Sequence, residues 1–209
     1  MDNLGSSNNP TGRIVVGVTG ASGAIYAVRF LSQAVNIFDK VYVMMSEQAA
    51  QVIRTELGIV LSSTSPTALE LLGAPADNLI FLDRKDYYSP PASGSFRHDG
   101  MVIVPCSMGT AGRIANGISD DLLTRSADVC LKERRKLIVV PRETPWNLIQ
   151  LRNLTTLAEA GATILPACPS FYYKPQTVEE VADTIVARIF QSLGVEQEGA
   201  RQWQFSETI

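Results

Sequence analysis

The stretch that most constrains this chain is Arg13 to Phe30, RIVVGVTGASGAIYAVRF. Ile14 to Val18 is a short apolar, β-branched run, the pattern of a buried strand. Thr19-Gly20-Ala21-Ser22-Gly23 follows, and a helix-permitting stretch opens at Ala24. Strand, Gly-rich turn and helix together aim free backbone N–H groups at one point, where an anion is stabilised. Glycine serves there because the turn needs a left-handed backbone or a close approach to a ligand. Two readings follow: a cradle for a phosphate carried by a nucleotide or flavin, or a tight βα turn that holds nothing.

With 209 residues, 45% of them hydrophobic and 19% charged, the chain has material for one α/β domain with a sizeable core. That composition excludes wholesale disorder. A net charge of −3 without a long basic run excludes an electrostatic footprint for duplex DNA, so no nucleic-acid partner is expected. Cys106, Cys130 and Cys168 are widely spaced and odd in number, which fits reduced thiols in a cytoplasmic protein rather than a disulfide framework or zinc site. The single histidine, His98, excludes a multi-histidine metal site. No apolar run is long enough to span a bilayer, and the polar start lacks a signal-peptide core. Residues 1–12 read as a disordered leader and 13–195 as the domain. Residues 196–209 read as a tail whose Trp203 and Phe205 dock on the body or a neighbouring subunit.

Further along, Lys40 to Met45 reads as a second strand and Glu47 to Leu57 as a helix. Ser46 sits between them, either as the helix N-cap or as a ligand contact at a strand's carboxyl end. Glu56, near that helix's end, reads as a solvated surface acid. Pro66 to Leu72 reads as a short helix and Leu79 to Leu82 as a strand. Asp83 to Gly100 has no periodicity; it reads as a loop that helps close over a ligand, or as a mobile surface loop carrying His98.

Three later strands, Met101 to Val104, Lys136 to Val140 and Ala162 to Leu165, are each followed by proline. Proline cannot donate to a ladder and belongs at strand ends. Strands alternating with helices predict a mainly parallel sheet, so these loops and the Gly20–Gly23 turn line one crevice. Cys106-Ser107-Met108-Gly109-Thr110 reads as one such loop, and Arg142-Glu143 as the head of another. An arginine at the latter position suits an anion or flavin, and a glutamate suits proton transfer.

Asp120 to Arg134 reads as a helix with Asp121, Arg125, Asp128 and Lys132 on one stripe. From spacing alone, two acid-to-base i,i+4 pairs on a solvated face are preferred over an anion grip by Arg125 and Lys132. Thr144-Pro145 reads as an N-cap with proline first in a helix running to about Glu159. Thr177 and Glu180 read as the capping box of a last helix ending at Leu193, with Arg188 flanking its apolar stripe.

Taken together, GVTGASGAIYAVR, MSEQAA, PPASGS, VPCSMGT, LLTRSADVCLKERR, VPRETP, GATILPA, PSFYYKPQ and the Arg188 helix resemble the flavin prenyltransferases, the UbiX/Pad family, from about Arg13 to Trp203. The resemblance implies a three-layer Rossmann-like (flavodoxin-like) α/β fold. It implies transfer of a dimethylallyl group from dimethylallyl monophosphate to N5 and C6 of reduced FMN, without metal. Prenylated FMN is then the product, a cofactor for a UbiD-type decarboxylase. It implies a homo-oligomer, commonly a dodecamer, with sites shared between subunits.

By motif match, Gly20, Ala21, Ser22, Ser46, Ser93, Gly94, Cys106, Ser107, Met108, Gly109 and Arg142 look like FMN contacts. Tyr172 and Arg188 resemble residues that hold the allylic phosphate, and Arg125 and Lys132 fall in the motif that supplies further phosphate contacts. This overturns the bland reading of their stripe. Ser22, Glu56, Glu143, Tyr172 and Trp203 correspond to residues implicated in the chemistry. The chain lacks the P-x-M-N-x-x-M-W motif of the related cysteine decarboxylases and the Tyr-x-x-x-Lys pair of short-chain dehydrogenases. A non-enzymatic flavin carrier leaves Arg125, Lys132, Tyr172 and Arg188 without a common purpose.

Overall fold

The computed structural model describes residues 12–195, so the leader before Gly12 and the tail with Trp203 and Phe205 lie outside the described residues. Six strands, β1 (Arg13–Val18), β2 (Lys40–Met45), β3 (Leu79–Phe81), β4 (Met101–Cys106), β5 (Leu137–Pro141) and β6 (Thr163–Ile164), form one sheet. Its order is β3-β2-β1-β4-β5-β6, and every pairing is parallel. The order reverses between β1 and β4, which is where such sheets open a crevice at their carboxyl edge. The connecting helices are α1 (Ala24–Ile37), α2 (Glu47–Leu57), α3 (Ala68–Leu72), α4 (Met108–Ala115), α5 (Leu122–Lys132), α6 (Leu148–Glu159) and α7 (Val178–Leu193).

The central strands are apolar throughout because helices cover both faces. In β1, Ile14, Val16 and Val18 face one core with α1, α2, α3 and α7. Val15 faces the other, with α4, α5 and α6. Gly17 is required by close approach: a Cβ there would stand 3.0 Å from Leu123 of α5.

Four local expectations are corrected. A helix, α4, begins within the stretch read as the loop Cys106–Thr110, because the Ser107 hydroxyl caps it by accepting from Thr110 N. The helix expected from Thr144-Pro145 starts at Leu148 instead. Asn147 and Gln150 bond reciprocally there, satisfying two backbone donors that a start at Pro145 would leave open. Thr177 caps α7, but the Glu180 carboxylate accepts from Gln176 N rather than closing the box. His98 is buried, not on a mobile surface. Its Nδ1–H donates to Gly100 O at 3.0 Å and its ring stacks on Phe96. Burial pushes the imidazole pKa down, so it is neutral.

α1 and α7 are joined in two ways. Phe30 and Phe190 are fully buried and stacked at 4.8 Å. Arg29 reaches Asp183 with both arms, at 2.8 and 2.5 Å, on a half-exposed surface. We expect Phe190→Ala to cost about 3–5 kcal/mol and Arg29→Ala about 1 kcal/mol or less. Urea unfolding of the two variants checks the ranking.

Candidate functional site

Loops at the carboxyl edge are fastened to one another by backbone hydrogen bonds. Ser46 N donates to Val18 O, Thr19 N to Pro105 O, Arg142 N to Cys106 O and Ala167 N to Pro141 O, at 3.0–3.3 Å. The buried Thr19 hydroxyl adds two more, donating to Pro105 O at 2.8 Å and accepting from Ser107 N at 2.7 Å. Sequence reasoning passed over Thr19. Its position between an apolar strand and the Gly-rich turn was the available signal.

The Gly20–Gly23 turn does not offer α1's N-terminus to an external anion. Glu56 occupies it: its carboxylate accepts from Gly23 N at 2.9 Å and Ala24 N at 2.8 Å. Glu56 is exposed, as expected of a surface acid, but its carboxylate is bound to the start of α1 rather than left to solvent alone. Helix α2 lies along the turn, since a Cβ on Gly20 would fall 2.3 Å from Gln48 Cβ near α2's other end. Burial pushes the Glu56 carboxyl up. The Ser22 hydroxyl, the Ala24 and Gly23 N–H groups and the Arg142 charge together outweigh that and hold it below the usual carboxylate range. Glu56 is thus an ionised acceptor at neutral pH, and Ser22 its donor.

Beside this pair lies an open cavity of about 500 Å³ lined by Pro141, Arg142, Glu143, Thr144, Trp146, Pro166, Ala167 and Cys168. Arg142 and Glu143 are exposed into solvent at the end of β5, and the Glu143 carboxylate accepts from Thr144 N. Tyr26 of α1 stands within charge range of Cys168 and Arg142, and burial pushes its phenol pKa up. The wall thus carries a guanidinium, a carboxylate and an indole among small side chains. Ser46 acts as the N-cap of α2, its hydroxyl accepting from Ala49 N at 3.1 Å.

Cys106 and Met108 point into the core. Burial pushes the Cys106 thiol up to about 12, so it is no nucleophile, and only the backbone of these two residues is left to face a ligand. Gly109 is exposed, with open space where a Cβ would stand.

The remaining expected residues do not line that cavity. Leu122 N, at the start of α5, donates to Arg84 O just past the carboxyl end of β3. At the other end, Lys136 O accepts from Met101 N at the amino end of β4. Over 11 residues α5 therefore runs roughly 15 Å from the carboxyl edge to the amino edge. Lys132 ends it, beside Glu133 and Gly94.

Residues 84–96 lie along α5 rather than over their own chain's crevice. Arg125 Nε donates to Ala92 O, and Arg135 donates to Gly94 O and Phe96 O. Ser93 shares its hydroxyl with Ser95 in this strap. Neither i,i+4 pair of the α5 stripe forms. Asp121 caps the helix and meets Arg113, Arg125 meets Asp128, and Lys132 meets Glu133. Arg188 is exposed nearly three turns along α7 and donates to Gln191 Oε1, and Tyr172 is exposed in the loop before α7. The structure therefore joins Ser22, Glu56, Arg142 and Glu143 at one edge and sets Ser93, Gly94 and Lys132 at the other.

The model of the Flavoprotein family matches residues 3–190. The flavin prenyltransferase UbiX of Alkalihalophilus pseudofirmus is 44% identical over 190 residues, 91% of this chain and 95% of that protein. The crystal structure of AnUbiX (PadA1), in complex with FMN and dimethylallyl pyrophosphate, matches with a TM-score of 0.82 and 37% identity, covering 93% of this chain and 98% of that one. A dodecameric FMN-dependent UbiX-like decarboxylase from Escherichia coli O157:H7 matches with a TM-score of 0.81 and 37% identity, covering 92% and 99%. A carboxyl-edge crevice of this composition, on this fold and with this degree of identity along nearly the whole length, places the chain in the flavin prenyltransferase (UbiX) family of flavoproteins.

Proposed function

We propose that this chain transfers the dimethylallyl group of dimethylallyl monophosphate to N5 and C6 of reduced FMN, releasing phosphate and prenylated FMN for a UbiD-type decarboxylase. The observation that carries the reading is Arg142 within charge range of the Glu56–Ser22 pair, beside the cavity that holds Glu143. Reduced FMN is the acceptor, supplying nucleophilic N5 and C6. Its contacts come from the backbone of Gly20–Ser22 and 106–109, with Ser46 and Arg142.

Glu56 holds Ser22 as a fixed donor and acceptor facing the crevice. Closing the second bond joins C6 to the tertiary carbon of the prenyl double bond, so a proton is delivered to the other carbon of that double bond as the C6 proton is removed; we assign these transfers to Glu143, exposed in the cavity wall, and the departing phosphate. Arg188 and Tyr172 hold the donor's phosphate, with Arg125 and Lys132 adding charge stabilisation as it leaves. By the resemblance, Trp203 stabilises the cationic character of the allyl fragment through its π-electrons.

Since Lys132 and Gly94 lie at the opposite edge from Arg142, one chain does not close the phosphate site. A neighbouring copy in a homododecamer supplies them. No helix among the described residues is long and apolar enough to cross a membrane.

Anaerobic incubation with reduced FMN and the monophosphate, followed by mass analysis of the released flavin, tests the reading. We expect a flavin heavier by one five-carbon unit. The diphosphate run in parallel gives less product; equal or greater product overturns the monophosphate as donor. Unmodified FMN with both donors overturns the transferase reading.

Glu56→Gln should lower the rate by about 10²-fold or more. Because the folded carboxyl titrates below its usual range, the acid limb that Glu56 contributes to the native pH–rate profile lies below that range, and it disappears in the variant. Oligomers assembled from equal amounts of Arg142→Ala and Lys132→Ala chains should regain activity that neither regains alone. About a quarter of native activity is expected, since each site draws the two residues from different chains.

A further inference from the structure

Among the described residues, one buried side-chain nitrogen or oxygen lacks any hydrogen-bond partner: Trp146 Nε1. It belongs to the cavity wall. Trp146 lies between Arg142-Glu143 and the N-cap of α6, with its ring packed against the core under α4, α5 and α6. An indole N–H only donates, and leaving one covered and unpaired is unfavourable, so it calls for an acceptor from outside the chain.

None of the cavity's own polar groups accepts from it. Arg142 is also a donor, and one oxygen of Glu143 accepts from Thr144 N in its own turn. Two donors on one wall, with a carboxylate turned to its own backbone, match a ligand edge that presents acceptors. The turn just before it, Glu143 to Pro145, is exposed.

We propose that Trp146 is a binding residue for the flavin ring: its indole N–H donates to one of the two carbonyl oxygens of the ring's pyrimidine portion and fixes the ring's orientation in the cavity. This rests on the reading that the cavity holds FMN. The ring has no other element that combines planar shape with two outward carbonyl acceptors. A Trp at this position therefore both walls the cavity and orients its occupant.

The test compares the native protein with Trp146→Phe, which keeps an aromatic ring and removes the N–H. Each is titrated with FMN, 2-thio-FMN and 4-thio-FMN, in which sulfur, a weak acceptor, replaces one carbonyl oxygen. We expect Trp146→Phe to bind FMN about threefold to tenfold more weakly. One thio analogue should bind the native protein more weakly by a similar factor while costing the variant nothing further. That coupling identifies the carbonyl.

Should the variant misfold, ultraviolet resonance Raman of the native protein reads the indole N–H directly. Its hydrogen-bond-sensitive band should shift on adding FMN, and less on adding the coupled analogue. Native-like FMN affinity in a folded Trp146→Phe, equal analogue penalties in both proteins, or an indole band unmoved by bound FMN overturns the proposal. Failure of the native protein to bind FMN at all is a different result, and overturns the flavin reading with it.

Discussion

Four backbone hydrogen bonds between loops hold the carboxyl edge of this sheet together, and the site depends on them. A parallel ladder fixes strands relative to one another but leaves the loops beyond it free. Here each loop is tied to the next: Ser46 to Val18, Thr19 to Pro105, Arg142 to Cys106 and Ala167 to Pro141. The Thr19 hydroxyl doubles the link at the point where the strand order reverses. Arg142 thus stands within charge range of the Glu56–Ser22 pair before any ligand arrives. A wall already ordered loses little conformational freedom on binding, and that advantage carries into any reaction needing two substrates in register.

Glu56 changes what the Gly-rich turn does. Free N–H groups at a helix N-terminus attract anions, but this terminus already holds a carboxylate from α2. A phosphate approaching it meets a negative charge. The turn's role shifts from gripping a phosphate to presenting Ser22, whose hydroxyl is oriented by an ionised partner. The anion-attracting end of α1 is spent on fixing a side chain, which leaves Arg142 as the exposed cation of the crevice wall.

The sheet was legible because its signals are local: apolar β-branched runs, and proline after three strands. The crevice followed from parallel order alone. Glu56 was misread because helical periodicity sees only the residue's own helix, whereas its partners lie 32 and 33 positions away. For the stripe on α5, spacing names the residues an arginine can reach within the helix but not the carbonyls of a strap lying alongside it. Arg125 therefore turns to Ala92 and Asp128 rather than Asp121. Helix α4 was missed although its signal was present. Ser107, directly after a strand, stands where an N-cap belongs and accepts from Thr110 N. His98 looked mobile because its neighbours are polar. What buries it is the strap's docking on α5, a tertiary event with no sequence period.

Among the described residues, each cation assigned to the site has a local neighbour before assembly. Arg125 has Asp128, Lys132 has Glu133, Arg188 has Gln191, and Arg142 lies within range of Glu56. Bringing Arg125, Lys132 and Arg188 around one phosphate, as a shared site requires, draws like charges together. The anion offsets that repulsion, since it interacts with all of them at once in a partly dry interface. Under that arrangement the phosphate of the donor binds the assembled form better than the separated chains, and linkage makes the reverse hold: donor stabilises assembly as assembly creates the donor site. On the proposed shared site, distributing the cations over two ends of the subunit leaves each with a local neighbour in the separate chain and makes the grip on phosphate a property of the oligomer.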